Sequence, residues 1–292
     1  MLCGNNNHEA IRDRYGPWAL ISGASDGIGK ALAIECAQAG INCALVARRA
    51  DKLEHLATAL RTSFDVNVLV RPIDLMQPNA FEQLIAVADE IEIGLYLIIA
   101  GGDTVAARFI DADIDRWNEL IARNIGLLTQ SIHAFARIFA ERGRGGVGVV
   151  GSDSGFNGAG RISVYSASKA YALNLVESIW AELKDKNVDA TYFAIGATDT
   201  PKLRGLMEMR GVAPGNVNLT PPETLARWIF QNLGNGPTQV FDVDPQSMDP
   251  LTSPKARRAR VERNTRMIDF FFGDRELSEE TLAGLRSGRS WK

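Results

Sequence analysis

The chain has 292 residues, 46% of them apolar, and a formal net charge of −3. That balance supplies a substantial core and gives no ground for nucleic acid or an anionic membrane surface as a partner. Cys3, Cys36 and Cys43 lack metal-ligand spacing, and no stretch reaches the roughly 18–20 apolar residues of a membrane span, so free thiols and a cytoplasmic location are expected.

Residues 1–14 are polar, lack the apolar run of a secretory signal and are expected to form a flexible N-terminal segment. Short apolar runs then recur at 18–22, 43–47, 66–71, 95–100, 147–151, 190–194 and 239–243. They are nearly continuous in apolar character, as strands buried on both faces must be. Helix-like stretches lie between them, for example 30–39, 52–61 and 81–89. Strand–helix alternation of this kind predicts an α/β fold: a doubly wound parallel sheet of about seven strands with helices on both faces. Residues 15–249 are read as one unit, in which Leu203, Leu206, Met207 and Met209 near 200–220 supply either a lid over an apolar ligand or a surface helix covering the core. The last stretch, 250–292, reads as a helical extension; a solvated basic helix is the simplest account of its arginines, and 267–272 is strongly apolar.

The first run leads into Gly23-Ala24-Ser25-Asp26-Gly27-Ile28-Gly29-Lys30, and a helix pattern follows. Glycines there permit backbone angles closed to other residues and let a pyrophosphate approach N–H groups at a helix N-terminus, where the dipole favours negative charge. The spacing is Gly-x-x-x-Gly-x-Gly, not the Gly-x-Gly-x-x-Gly of many dinucleotide folds. In this it resembles the short-chain dehydrogenase/reductase family. That resemblance implies a Rossmann fold, a nicotinamide cofactor and a homodimer or homotetramer paired through the helices that carry Asn124 and Tyr165.

The second run ends at Val46-Ala47 without the acid that would bind a ribose 2′-hydroxyl, and Arg48-Arg49 follows. A guanidinium at this place pairs with a 2′-phosphate, so NADP(H) is expected ahead of NAD(H). Ser25 matches a family position that adds a hydroxyl to the same phosphate, whereas Asp26 brings like charge. By resemblance, Asp74 and Leu75 would contact adenine, and Ala100 and Gly101 would let the backbone lie against the cofactor. The two residues before Ala100 depart from the family's Asn-Asn and are Ile98 and Ile99. Thr198 and Thr200 would hold the carboxamide and phosphate end. Ile195 departs from the family's usual proline, while Gly196 keeps to the pattern.

Tyr165 and Lys169, four apart, share one helix face. An ammonium beside a phenol stabilises phenolate and brings a group of pKa about 10 into working range as a general acid or base. Ser152 stands thirteen residues before Tyr165, at a predicted strand end, where a hydroxyl can donate to a substrate oxygen as charge develops. Ser-x12-Tyr-x3-Lys matches the resembled family residue for residue. Asn124 falls on the inward face of a helix marked by Ile121, Ile125, Leu128, Ile132 and Phe135; in the family, the matching asparagine connects to the lysine through water.

The constellation Ser152, Tyr165, Lys169 and Asn124 points to an oxidoreductase that interconverts a ketone and a secondary alcohol; the loop's Asp26-Gly27-Ile28-Gly29-Lys30 resembles that of 3-oxoacyl and steroid reductases of the family, which implies a steroid-like or 3-oxoacyl-like apolar substrate. A non-catalytic nicotinamide-nucleotide-binding regulator is the alternative, favoured only by Ile98 and Ile99. A nucleotide-sugar epimerase shares the Tyr-x3-Lys pair but usually carries a larger C-terminal domain. No metal is expected; His8, His55 and His133 are scattered.

Overall fold

The computed structural model describes residues 5–99, 101–102, 106–243, 249 and 251–272. Strands β1 (Trp18–Ser22), β2 (Asn42–Ala47), β3 (Val68–Pro72), β4 (Ile93–Ile98), β5 (Gly145–Val150), β6 (Val188–Ala194) and β7 (Thr238–Val240) form one seven-stranded sheet, ordered β3-β2-β1-β4-β5-β6-β7. Every pairing is parallel. The order reverses between β1 and β4, which opens a crevice beyond the carboxyl ends of these strands.

The helices are α1 (Asn5–Tyr15), α2 (Gly27–Gln38), α3 (Ala50–Ser63), α4 (Ala80–Glu90), α5 (Ile114–Ile121), α6 (Leu128–Arg142), α7 (Ser163–Leu183), α8 (Pro201–Met209), α9 (Pro222–Gln231) and α10 (Pro254–Phe272). Strand side chains alternate between two apolar layers. Ala19, Ile21, Cys43 and Leu45 pack with α2, α3 and α9, whereas Leu20, Ala44 and Val46 pack with α4, α6 and α7. Both faces of the central strands are therefore dry, which is why those strands read as apolar runs, whereas the edge strand β3 is only half-buried. None of the described helices is long and apolar enough to cross a membrane.

Three features depart from the sequence expectations. The segment expected to be flexible contains α1, whose Ile11 and Tyr15, four apart, are both buried. The Tyr15 hydroxyl donates to Asp189 at 2.7 Å, and the Arg14 Nε donates to the same carboxylate at 2.5 Å. Between α5 and α6 the chain makes a π-helical turn, Ala122–Leu127. Its wider repeat re-phases the helix, so Leu120, Asn124 and Leu128 point inward while Ile121 is 42% exposed.

The third departure is α10, which is not a purely solvated helix. Arg257 is buried and donates to both oxygens of Glu177 on α7, at 2.5 and 3.0 Å, and to the Leu251 carbonyl at 2.9 Å. The Thr238 hydroxyl completes the Glu177 shell at 2.7 Å, and the guanidinium lies 5.3 Å from the Phe156 ring centroid. Removing one partner of a buried pair strands the other charge, which costs about 3–5 kcal/mol. Arg257→Ala is accordingly expected to lower the urea midpoint of unfolding by that equivalent. An unchanged midpoint would show that α10 is not docked in solution. The apolar side chains at 267–272 lie outside the described residues.

Candidate active site

Gly23 adopts φ +93° and Gly27 φ +51°, both in the left-handed region. A Cβ on Gly29 would stand 2.1 Å from the Gly23 carbonyl oxygen, so only glycine lets the first turn of α2, with Ile28 buried in it, lie against the loop. A Cβ on Gly27 would meet the Thr200 methyl at 2.7 Å. Loop and α8 thus approach closely, leaving bare backbone at a helix N-terminus: the donor set a pyrophosphate requires.

A cationic corner adjoins this loop. Arg49 donates to the Ser25 hydroxyl at 3.0 Å and lies 3.6 Å from Asp26, while the Lys52 ammonium lies 3.1 Å from the same carboxylate. Asp26 caps α2 by accepting from the Gly27 N–H at 2.9 Å. Partial burial works to raise its pKa, but Lys52, the Gly27 N–H and Arg49 outweigh it and hold the carboxyl below its usual range. Asp26 is thus a neutralised cap. Arg48 is solvent-exposed, and Arg49 is the guanidinium that reaches the loop. Lys52 went unnoticed in the sequence; its position one helical turn beyond Arg49 was the available signal.

Asp74 accepts from the Met76 N–H at 3.1 Å and so closes a turn, and Leu75 lines a small internal cavity described below. Ala100 lies outside the described residues. Gly101 has φ +138°, and a Cβ there would stand 3.1 Å from Asn124 Oδ1 and 3.4 Å from Lys169 Nζ. Ile98 is buried, and the Ile99 N–H donates to the Ser22 carbonyl at 3.0 Å. A backbone bond therefore ties the two central strands together beside the positions where the family has asparagines. The Thr198 hydroxyl donates to the Gly196 carbonyl at 3.2 Å, and Thr200 caps α8 by accepting from the Leu203 N–H at 3.3 Å. On α8, Met207 is buried, Leu203 and Leu206 are half-buried, and Met209 is 79% exposed.

The π-helical turn aims Asn124 at the cleft. Its amide donates to the Gly101 carbonyl at 3.0 Å and the Ser168 hydroxyl at 3.1 Å, and its oxygen accepts from Arg123 at 3.0 Å. Ser168 in turn donates to the Tyr165 carbonyl at 2.7 Å. Lys169 Nζ lies 5.5 Å from the centroid of the Tyr165 ring. Ser152 follows β5, and its backbone exchanges hydrogen bonds with the Tyr192 hydroxyl at 2.9 and 3.0 Å. A Cβ on Gly155 would stand 3.0 Å from the Lys169 backbone, so the Ser152 loop sits directly on α7.

Lys169 is buried, and its pKa is brought down to about 8, first by burial and then by the charges of Arg123 and Lys202. Arg123 also donates to the Gly102 carbonyl at 3.0 Å, and Lys202 reaches that carbonyl at 3.3 Å. Three cations therefore converge on the segment after β4. Neither Arg123 nor Lys202 stood out in the sequence, although they neighbour Asn124 and Thr200. Beneath them lies a cavity of about 30 Å³, its lining mainly apolar with Ser22, Ser131, Asn124, Ser168 and Lys169 as polar members, large enough for one water. No metal-ligating cluster occurs among the described residues.

A 7beta-hydroxysteroid dehydrogenase of Collinsella aerofaciens is 31% identical over 226 residues, covering 77% of this chain and 85% of that protein. The enzyme of the same name from Clostridium sardiniense is 32% identical over 191 residues, covering 65% and 73%. A solved 7beta-hydroxysteroid dehydrogenase structure superposes with a TM-score of 0.73 at 26% identity, over 86% of this chain and 99% of that one. The sequence profile of the short chain dehydrogenases matches residues 17–211, a span running from β1 through the glycine loop, Asn124, Ser152, Tyr165 and Lys169 to the end of α8. With the sheet order, the loop spacing and this match in agreement, the chain belongs to the short chain dehydrogenase family of oxidoreductases.

Proposed function

We propose that the protein is an NADP(H)-dependent oxidoreductase that interconverts a ketone and a secondary alcohol on a bulky apolar skeleton. The observation that carries this reading is the convergence of Tyr165, Lys169 and the Asn124 network beside a glycine loop flanked by Arg49 and Lys52. The nicotinamide cofactor, when bound, supplies the hydride. Tyr165 delivers its phenolic proton to the substrate oxygen during reduction and takes it back during oxidation. Lys169 stabilises the phenolate electrostatically and returns the proton from the cavity beside Asn124. Ser152 holds the reacting oxygen. The substrate class is carried over from the 7beta-hydroxysteroid dehydrogenases that the chain resembles. Exposed Ile114, Ile121 and Tyr171, on the helices flanking the site, support pairing with a second copy of the chain.

The test is loss of reduced-nicotinamide absorbance against a panel of apolar ketones, with NADPH and NADH supplied separately. Turnover with NADPH supports the reading, and nucleotide binding without turnover on any ketone or alcohol overturns it in favour of a regulator. The cationic corner gives a second expected result. A charge-assisted hydrogen bond contributes about 1.5–3 kcal/mol, so Arg49→Gln should raise the KM for NADPH by about 10- to 150-fold and leave that for NADH nearly unchanged. Equal use of NADH by the unaltered protein would remove the role given to this corner.

A further inference from the structure

The Ser152 hydroxyl has one proton and two lone pairs. Both lone pairs are occupied: the Ser154 N–H donates at 3.2 Å and the Ser154 hydroxyl at 2.9 Å. The single proton goes to Asp153 Oδ1 at 3.1 Å, a direction fixed because an ionised carboxylate only accepts. Ser152 is therefore saturated, and it can donate to a substrate oxygen only by releasing Asp153. The released carboxylate would then need another donor or water.

Its position makes the substrate that donor. The Asp153 N–H bonds the Ile195 carbonyl at 3.2 Å, and Asp153 Oδ2 faces Gly196, 3.7 Å from where a Cβ would stand. The exposed carboxylate thus lies beyond the carboxyl ends of β5 and β6, on the side where ligands of doubly wound sheets bind. It stands one hydrogen-bond length from the hydroxyl assigned to the reacting oxygen, a separation that suits two oxygens on neighbouring carbons.

We propose that Asp153 is a substrate-recognition residue: its carboxylate accepts the proton of a hydroxyl on the carbon next to the carbonyl, so the enzyme favours α-hydroxy ketones over plain ketones of the same skeleton. This rests on the reading of Ser152 as the group at the reacting oxygen. The exchange is balanced, since Ser152 turns its proton from Asp153 to the carbonyl and the substrate hydroxyl takes the vacated place. No charge is left without a partner.

Benzoin and deoxybenzoin, which differ only in that hydroxyl, form the test pair. Binding is read first, as the change in bound-NADPH fluorescence in the Tyr165→Phe protein, where turnover is slow enough not to obscure it. A preference for benzoin of about tenfold is expected, a modest figure because the carboxylate is open to solvent. Adding Asp153→Ala should bring the ratio to about one, and Asp153→Asn, which keeps an acceptor, should restore part of it. Equal binding of the two ketones, or a preference that survives Asp153→Ala, overturns the proposal. With Tyr165 intact the same ratio should appear in kcat/KM. Absence of turnover on both ketones there would count against the oxidoreductase reading itself, while the binding ratio still decides the role of Asp153.

Discussion

Tyr165→Phe is expected to lower kcat by about 10²–10⁴-fold, the usual contribution of a positioned general acid or base. The phenyl ring keeps its place near Lys169, 5.5 Å from the ammonium, so the substitution removes an O–H and little else. KM for the ketone should change far less than kcat, because the proton moves only in the transition state. Steady-state kinetics with NADPH check this. A variant as active as the parent would mean that another group donates the proton, and the constellation would lose its centre.

Lys169→Met is expected to act on activity and stability in opposite directions. Without the ammonium the Tyr165 phenolate loses its stabilising charge, and turnover should fall by about 10²-fold or more. Stability should rise. The fold depresses the lysine from 10.5 to about 8, which corresponds to about 3 kcal/mol of penalty on the charged form. Below about pH 8 the ammonium is charged in both folded and unfolded chains, and the full penalty applies. Between about pH 8 and 10.5 the unfolded chain binds more protons, so the parent gains stability as pH rises. The variant's advantage in Tm should therefore be largest near pH 7 and fade toward pH 10.5. A variant less stable than the parent at pH 7 would show that Arg123 and burial do not oppose the charge as described. Reductive turnover of the parent should also decline as pH rises through about 8, where Lys169 loses its proton.

The sheet was legible because the central strands are dry on both faces, so β1, β2, β5 and β6 stand out as short, largely apolar runs. Edges were harder to read. β4 begins at Ile93, earlier than expected, because Gly94 admits the backbone of Tyr15 and Gly16 where a Cβ would stand 2.3 Å from a carbonyl oxygen. β7 spans only three residues. The spacing of Ser152, Tyr165 and Lys169 pointed to the candidate site, since a helix and a strand end fix where those side chains go. Asn124 was placed inward correctly, yet the π-helical turn that puts it there leaves no periodic trace: it changes the backbone repeat without changing residue types. Arg123, Lys202 and Lys52 were missed for a related reason. A surface-type cation next to a motif looks like any other, and only the crossing of α8 over the segment after β4 brings Lys202 to Gly102.

The anchorage of α1 has a consequence for how the chain is made. The helix leaves the ribosome well before the carboxylate that holds it, which belongs to Asp189, 174 residues further on. At translation rates of 5–20 residues per second, roughly 10–35 s pass before that acceptor has been synthesised. Over that interval Arg14 and the Tyr15 hydroxyl lack their carboxylate, and only the apolar packing of α1 on β4 and β5 can form. Closure of this contact is therefore a late event in biogenesis, made only once β6, which carries Asp189, has been synthesised.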